Sequence, residues 1–280
     1  MQLLSPSRRA APAPEPPEAA GRPRTGRWRL EAGGRMLRVE ASWPEAPPPP
    51  GGHPFLVMLD GNAYFFTLLE AVRVRTLRPG STLAEPVVIG LGYETDGAFD
   101  LAQRERDYTP PGAAAFLDAL ADDLLPRLAG LLSLDLSAGT LLGHSYGGLF
   151  VLQALFARPG LFRTSVALSP SVWRGRAAVQ AGEAAFADRL AAAPGPLALL
   201  LAAGGLEQAT TRTGDAAVDA RLAEHRVAEE AQALAGRLAR LAPERLAVRF
   251  DLIAGENHGS VVPAALSRAV SFALQPETPR

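Results

Sequence analysis

A chain of 280 residues, 48% of them hydrophobic, can bury one large core, so a single catalytic domain over residues 26 to 276 is the expected organisation. A formal net charge of -1 provides no global field for nucleic acid or an anionic membrane surface, and neither is expected as a partner. The absence of cysteine removes disulfides, zinc-thiolate sites and thiol nucleophiles together.

Twelve of the 25 prolines fall within the first 54 residues, in clusters at 12 to 17 and 47 to 50. Residues 1 to 25 are therefore expected to be disordered and 44 to 54 to form a connecting loop. Ser7-Arg8-Arg9 is followed by Ala, Pro and Glu where a secretory signal needs an apolar run, and no other stretch is apolar enough to span a bilayer. A cytoplasmic location is the expectation. Trp28 to Ala32 and Leu37 to Ala41 alternate apolar and polar residues around Gly33-Gly34, the pattern of a β-hairpin with one buried face.

From Pro54 onward short apolar runs are separated by longer amphipathic stretches, the signature of strands and helices alternating around a largely parallel sheet. Strands are predicted at Phe55 to Leu59, Val87 to Leu91, Gly139 to Gly143, Thr164 to Leu168, Leu197 to Ala202 and Leu246 to Leu252. Helices are predicted at roughly 63 to 77, 113 to 131, 146 to 158, 175 to 191, 216 to 241 and 262 to 274. The fold class is α/β, a mostly parallel doubly wound sheet with an N-terminal antiparallel hairpin. Ligands of such sheets bind beyond the carboxyl ends of the strands.

After the strand ending at Gly143 comes Gly143-His144-Ser145-Tyr146-Gly147-Gly148, then a helix-like apolar run. This is a Gly-x-Ser-x-Gly nucleophile elbow in a strand-turn-helix context. The tight turn calls for residues without Cβ two before and two after Ser145. The amide of Tyr146, at the start of the helix, can then donate to a developing oxyanion.

A serine hydroxyl needs a base, and only four histidines are available. His53 lies in the Pro-Gly connection and His225 in a charged helical stretch, and both read as solvated. His144 adjoins the nucleophile, but its side chain should point away from that of Ser145 and pack or hydrogen-bond within the turn. His258 remains, between the last strand and the last helix. The acid should follow the preceding strand, and Glu207 is the candidate there. Glu256, close in sequence to His258, and Asp251, inside a predicted strand, compete less well. A second oxyanion donor should come from the loop after Leu59, where the amide of Asn62 or of Gly61 is the candidate. Asn62 could also be the N-cap of the next helix.

Together with that elbow and its Leu149-Phe150 continuation, five further ordered segments carry a resemblance: Asp60 to Phe65, Gly90 to Tyr93, Arg106 to Pro110, Ser169 to Trp173 and His258 to Val261. The set resembles the esterase D-type α/β hydrolases, and within them the siderophore esterases of the enterochelin (trilactone) group, from about residue 27 to 275. The resemblance implies an α/β-hydrolase fold and hydrolysis of ester bonds in a tri-catecholate siderophore, with or without iron, by a Ser145 and His258 pair. Some members pair serine and histidine with a poorly placed acid. No metal or organic cofactor is implied. Arg104 and Arg106 could receive anionic catecholate oxygens, although local ion pairs with Glu105 and Asp107 would also account for them. Trp173 could wall the acyl pocket or belong to the core. The same machinery would serve a thioesterase or acyltransferase, and a non-catalytic siderophore-binding protein is the rival of another class.

Overall fold

The computed structural model describes residues 24–275. The expectation of disorder over residues 1 to 25 thus lies outside the described residues except at Arg24 and Thr25, which lead into the first strand.

The chain opens with β1 (Thr25–Ala32) and β2 (Arg35–Ser42), paired antiparallel from Thr25 opposite Ser42 to Ala32 opposite Arg35. Gly33 and Gly34 turn the hairpin at φ of 55° and 72°, a region that a two-residue hairpin loop needs and that glycine enters freely. There follow β3 (His53–Leu59), α1 (Gly61–Thr76), β4 (Val87–Tyr93), α2 (Leu101–Tyr108) and α3 (Ala113–Asp118). A π-helical turn (Ala119–Leu124) joins α3 to α4 (Leu125–Leu132), where the sequence predicts one unbroken helix. The chain continues through β5 (Leu134–His144), α5 (Tyr146–Ala157), β6 (Thr164–Leu168), α6 (Arg176–Ala191) and β7 (Leu197–Gly204). It ends with α7 (Ala216–His225), α8 (Val227–Leu241), β8 (Leu246–Ile253) and α9 (Val261–Leu274).

The eight strands form one sheet in the order β1-β2-β4-β3-β5-β6-β7-β8, antiparallel at β1-β2 and β2-β4 and parallel elsewhere. This is the α/β architecture predicted from the sequence, with the hairpin at one edge. The central strands are continuous apolar runs because both faces are covered. In β3, Phe55, Val57 and Leu59 enter a core built with α2 to α6 and α8, while Leu56 and Met58 enter a second core under α1 and α9. The neighbours of β3 are β4 on one side and β5 on the other, so the connections diverge there. Ligands of such sheets bind beyond the carboxyl ends of the strands at such a point.

Two departures from the predicted elements matter for the site. The helix predicted over 216 to 241 is broken at Arg226, whose left-handed backbone (φ 49°) separates α7 from α8. Burial at helical spacing begins only at Val227: α8 buries Val227, Ala228, Ala231, Leu234, Ala235 and Leu238, whereas α7 buries none of its side chains. The second departure is α2, a polar helix that periodicity does not reveal. It is started by Asp100, whose side chain accepts from the Gln103 amide at 2.9 Å. No helix among the described residues is long and apolar enough to cross a membrane.

Candidate active site

Ser145 sits at the junction of β5 and α5 with φ 60° and ψ -116°, a backbone region that costs a non-glycine residue about 1–3 kcal/mol. Surrounding hydrogen bonds fix it there: the Ser145 amide donates to the Leu168 carbonyl, and the Ser145 carbonyl accepts from the amides of Leu149 and Ser171, each at 3.0 Å. A Cβ on Gly143 would stand 2.3 Å from the Gly147 carbonyl oxygen, so that position admits glycine alone. At Gly147 a Cβ would meet Leu59 at an ordinary 3.5 Å. The tighter second position is Gly148, where a Cβ would come within 3.0 Å of the Leu168 oxygen and the Pro170 Cα.

The Ser145 hydroxyl lies 3.0 Å from His258 Nε2, and His258 Nδ1 lies 2.5 Å from Glu207 Oε2. His258 comes from the loop between β8 and α9, and Glu207 from the turn directly after β7. Glu207 is 1% exposed, and its other oxygen accepts from the Gly204 amide at 2.8 Å and from the Ser169 hydroxyl. A buried carboxylate held at three points fixes the imidazole with a proton on Nδ1 and a free lone pair on Nε2 facing the serine. The acid is thus well placed in this chain. Ser171 Oγ is 3.2 Å from Ser145 Oγ, a second hydroxyl beside Ser145 that sequence reasoning did not single out.

His144 is buried, as its place in the elbow suggests, but it reaches further than the turn. Its ring lies 4.5 Å from that of His258, and its Nδ1 is 3.4 Å from the Tyr64 hydroxyl. Burial first, and then the neighbouring His258 and Arg104, hold its pKa well below the usual histidine value. The other two histidines correct the sequence reading. His53 begins β3 and is 7% exposed, and His225, at the end of α7, stacks on Trp173 with ring centroids 3.8 Å apart and planes 4° from parallel.

At the end of β3, Asp60 takes a left-handed conformation (φ 55°), and the amides of Ala63 and Tyr64 fold back onto its carbonyl at 2.9 and 3.2 Å. The amides of Gly61 and Asn62, and that of Tyr146 at the start of α5, take no backbone acceptor among the described residues. Tyr146 borders the cavity that contains Ser145, while Gly61 and Asn62 begin α1 beyond the carboxyl end of β3, each at the positive end of its helix. Asp60, not Asn62, precedes α1. The Asn62 side chain instead bonds both backbone groups of Tyr93, at 3.0 and 3.1 Å, tying the start of α1 to the end of β4.

The arginines predicted for substrate stand elsewhere. Arg104 is buried and grips Asp60 through two bonds of 3.0 and 2.9 Å. Arg106 holds the fully buried Asp107 at 2.9 and 3.1 Å, a carboxylate that also accepts from Arg35. Neither lines the cavity that contains Ser145. Trp173 does: with Tyr146, Ser171, Arg221, His225 and His258 it borders a space of about 360 Å³ around Ser145. A second cavity of about 490 Å³ adjoins it, bordered by Leu206, Arg212, Asn257 and His258. Both lie against the Val218 and Leu222 face of α7, so that helix roofs the site. Val218 and Leu222, four positions apart, give α7 a short apolar face that the core does not take up, a signal of a role outside the core.

The model of the Esterase family matches residues 31–240. Ferri-bacillibactin esterase BesA of Bacillus subtilis is 35% identical over 265 residues, covering 88% of this chain and 87% of its own. A siderophore triacetylfusarinine C esterase of Aspergillus fumigatus is 30% identical over 262 residues, covering 85% and 89%. Among solved structures, the BES protein from Bacillus cereus superposes with a TM-score of 0.82 at 29% identity, covering 93% of this chain and 98% of its own. The chain belongs to the Esterase family and is a carboxylic ester hydrolase.

Proposed function

We propose that this protein hydrolyses the backbone ester bonds of a tri-catecholate siderophore through an acyl-enzyme formed on Ser145. The observation that carries the reading is the hydrogen-bonded chain from Ser145 through His258 to the buried Glu207. His258 Nε2 takes the hydroxyl proton as Ser145 Oγ bonds to the ester carbon. The resulting oxyanion is received by the amide of Tyr146 with that of Gly61 or Asn62, donors that need no reorganisation. Collapse breaks the bond to the alcohol oxygen, which leaves with the proton from Nε2. Water then repeats the sequence on the acyl-enzyme and returns the proton to Ser145.

The siderophore substrate is supported by the relatives, one named for ferri-bacillibactin and one for triacetylfusarinine C. The catecholate class is supported by the motif resemblance to trilactone esterases and by a cleft that contains an arginine. A cytoplasmic place of action belongs to the same proposal and is checked by fractionation. Hydrolysis of a catecholate trilactone, a trihydroxamate ester and a simple aryl ester, with products identified by mass, tests the substrate. Faster turnover of the catecholate trilactone than of the other two is expected. Preference for the aryl ester would leave a generic esterase.

A further inference from the structure

The two cavities under α7 differ in what they touch. The first contains Ser145 and Tyr146, the nucleophile and an oxyanion donor, together with the Trp173 ring and Arg221, and His258 borders it as it does the second. The second lacks the nucleophile but contains His258 and Asn257, with Leu206 and Arg212. In ester cleavage the acyl carbon bonds to Ser145, while the departing oxygen must meet the proton on His258 Nε2. The acyl part of the substrate therefore belongs in the first space and the alcohol part in the second.

Each space has one arginine without a carboxylate partner. Arg221 is exposed and makes no hydrogen bond or ion pair among the described residues. The Arg212 guanidinium meets only carbonyl oxygens, those of Thr211 at 2.9 Å and Ala209 at 3.4 Å. Of the nearby acidic groups, Asp219 stands within electrostatic reach of Arg212 but makes no hydrogen bond or ion pair with it among the described residues. Asp215 caps α7, and Asp219 accepts from Thr213 through both its amide and its hydroxyl. Elsewhere in the structure the arginines predicted for substrate are already matched to Asp60 and Asp107. Within these two spaces, the cations open to an anionic ligand are Arg221 and Arg212.

We infer that Arg221 and Arg212 are specificity residues on opposite sides of the scissile bond: Arg221 binds the anionic catecholate arm of the acyl part, and Arg212 that of the departing alcohol. The inference rests on the siderophore reading and deepens it. Trp173, with one face on His225, gives the first arm an apolar wall beside its charge contact. Both contacts are charge-assisted and partly solvated, so their contribution falls as salt rises.

Two synthetic monoesters separate the sides. N-(2,3-dihydroxybenzoyl)serine methyl ester places the catecholate in the acyl part, and O-butanoyl-N-(2,3-dihydroxybenzoyl)serinamide places it in the alcohol part. At mildly alkaline pH, the ratio of kcat/KM for the first ester to that for the second is measured in wild type, Arg221→Ala and Arg212→Ala. Arg221→Ala is expected to lower the ratio about tenfold and Arg212→Ala to raise it by a similar factor, mainly through KM. Lysine at either position should restore part of the shift, because it keeps the charge without the planar fork. An unchanged ratio in both variants, or shifts in the opposite sense, would overturn the assignment. A wild type that turns over a simple aryl ester but neither monoester would instead remove the siderophore reading on which the inference stands.

Discussion

At the residue scale, the proposed mechanism turns on Glu207. Because its carboxylate is buried against His258 Nδ1, Glu207→Gln should present an amide that favours the wrong imidazole tautomer, lowering kcat by about a hundredfold or more. Loss of less than about tenfold in a folded variant would show the acid to be dispensable. Glycine geometry gives a second test. Gly143→Ala drives a Cβ against the Gly147 carbonyl and should destabilise the fold by about 1–3 kcal/mol, whereas Gly147→Ala should cost much less. Denaturant midpoints of the two variants check the contrast. That Ser145, His258 and Glu207 stand together was legible from the sequence, because each follows a parallel strand at the same end of the sheet. The role of Ser169 was not, since its hydroxyl meets Glu207 only through the pairing of β6 with β7.

At the scale of elements, the parallel strands were readable as apolar runs, but the pairing of charges between elements was not. Arg104 lies forty-four positions from Asp60, and only the docking of α2 against the end of β3 brings them together. Removing one partner leaves a buried charge, so Arg104→Ala should destabilise the protein by about 3–5 kcal/mol, measured by urea unfolding. A cost below about 1 kcal/mol would mean that Asp60 finds other partners. The division of α7 from α8 was hidden for another reason: both halves have helical composition, and only the tally of buried side chains tells them apart. With no core face, α7 is held partly by the stack of His225 on Trp173. His225→Ala should therefore speed hydrogen exchange in α7 while leaving that in α8 unchanged.

At the scale of the whole molecule, stability should fall on the acid side of neutrality. Burial is the leading cause holding the pKa values of His53, His144 and His225 below the ordinary histidine value. In the unfolded chain these rings protonate near pH 6.5, so below that pH the unfolded state binds more protons than the folded one, and stability declines as pH falls. Urea midpoints measured downward from neutral pH should drop, and His144→Gln should show a shallower decline than wild type. An equal slope in the variant would mean that His144 is protonated in the folded state.

Hydrolysis itself offers the most direct measurement. Wild type and Ser145→Ala, each shown to be folded by circular dichroism, are incubated with a tri-catecholate trilactone, and the products are followed by mass. Wild type is expected to open the ring with the gain of one water per bond and to proceed to shorter esters, while Ser145→Ala shows a loss of several orders of magnitude. Turnover by folded Ser145→Ala close to that of wild type would contradict the account.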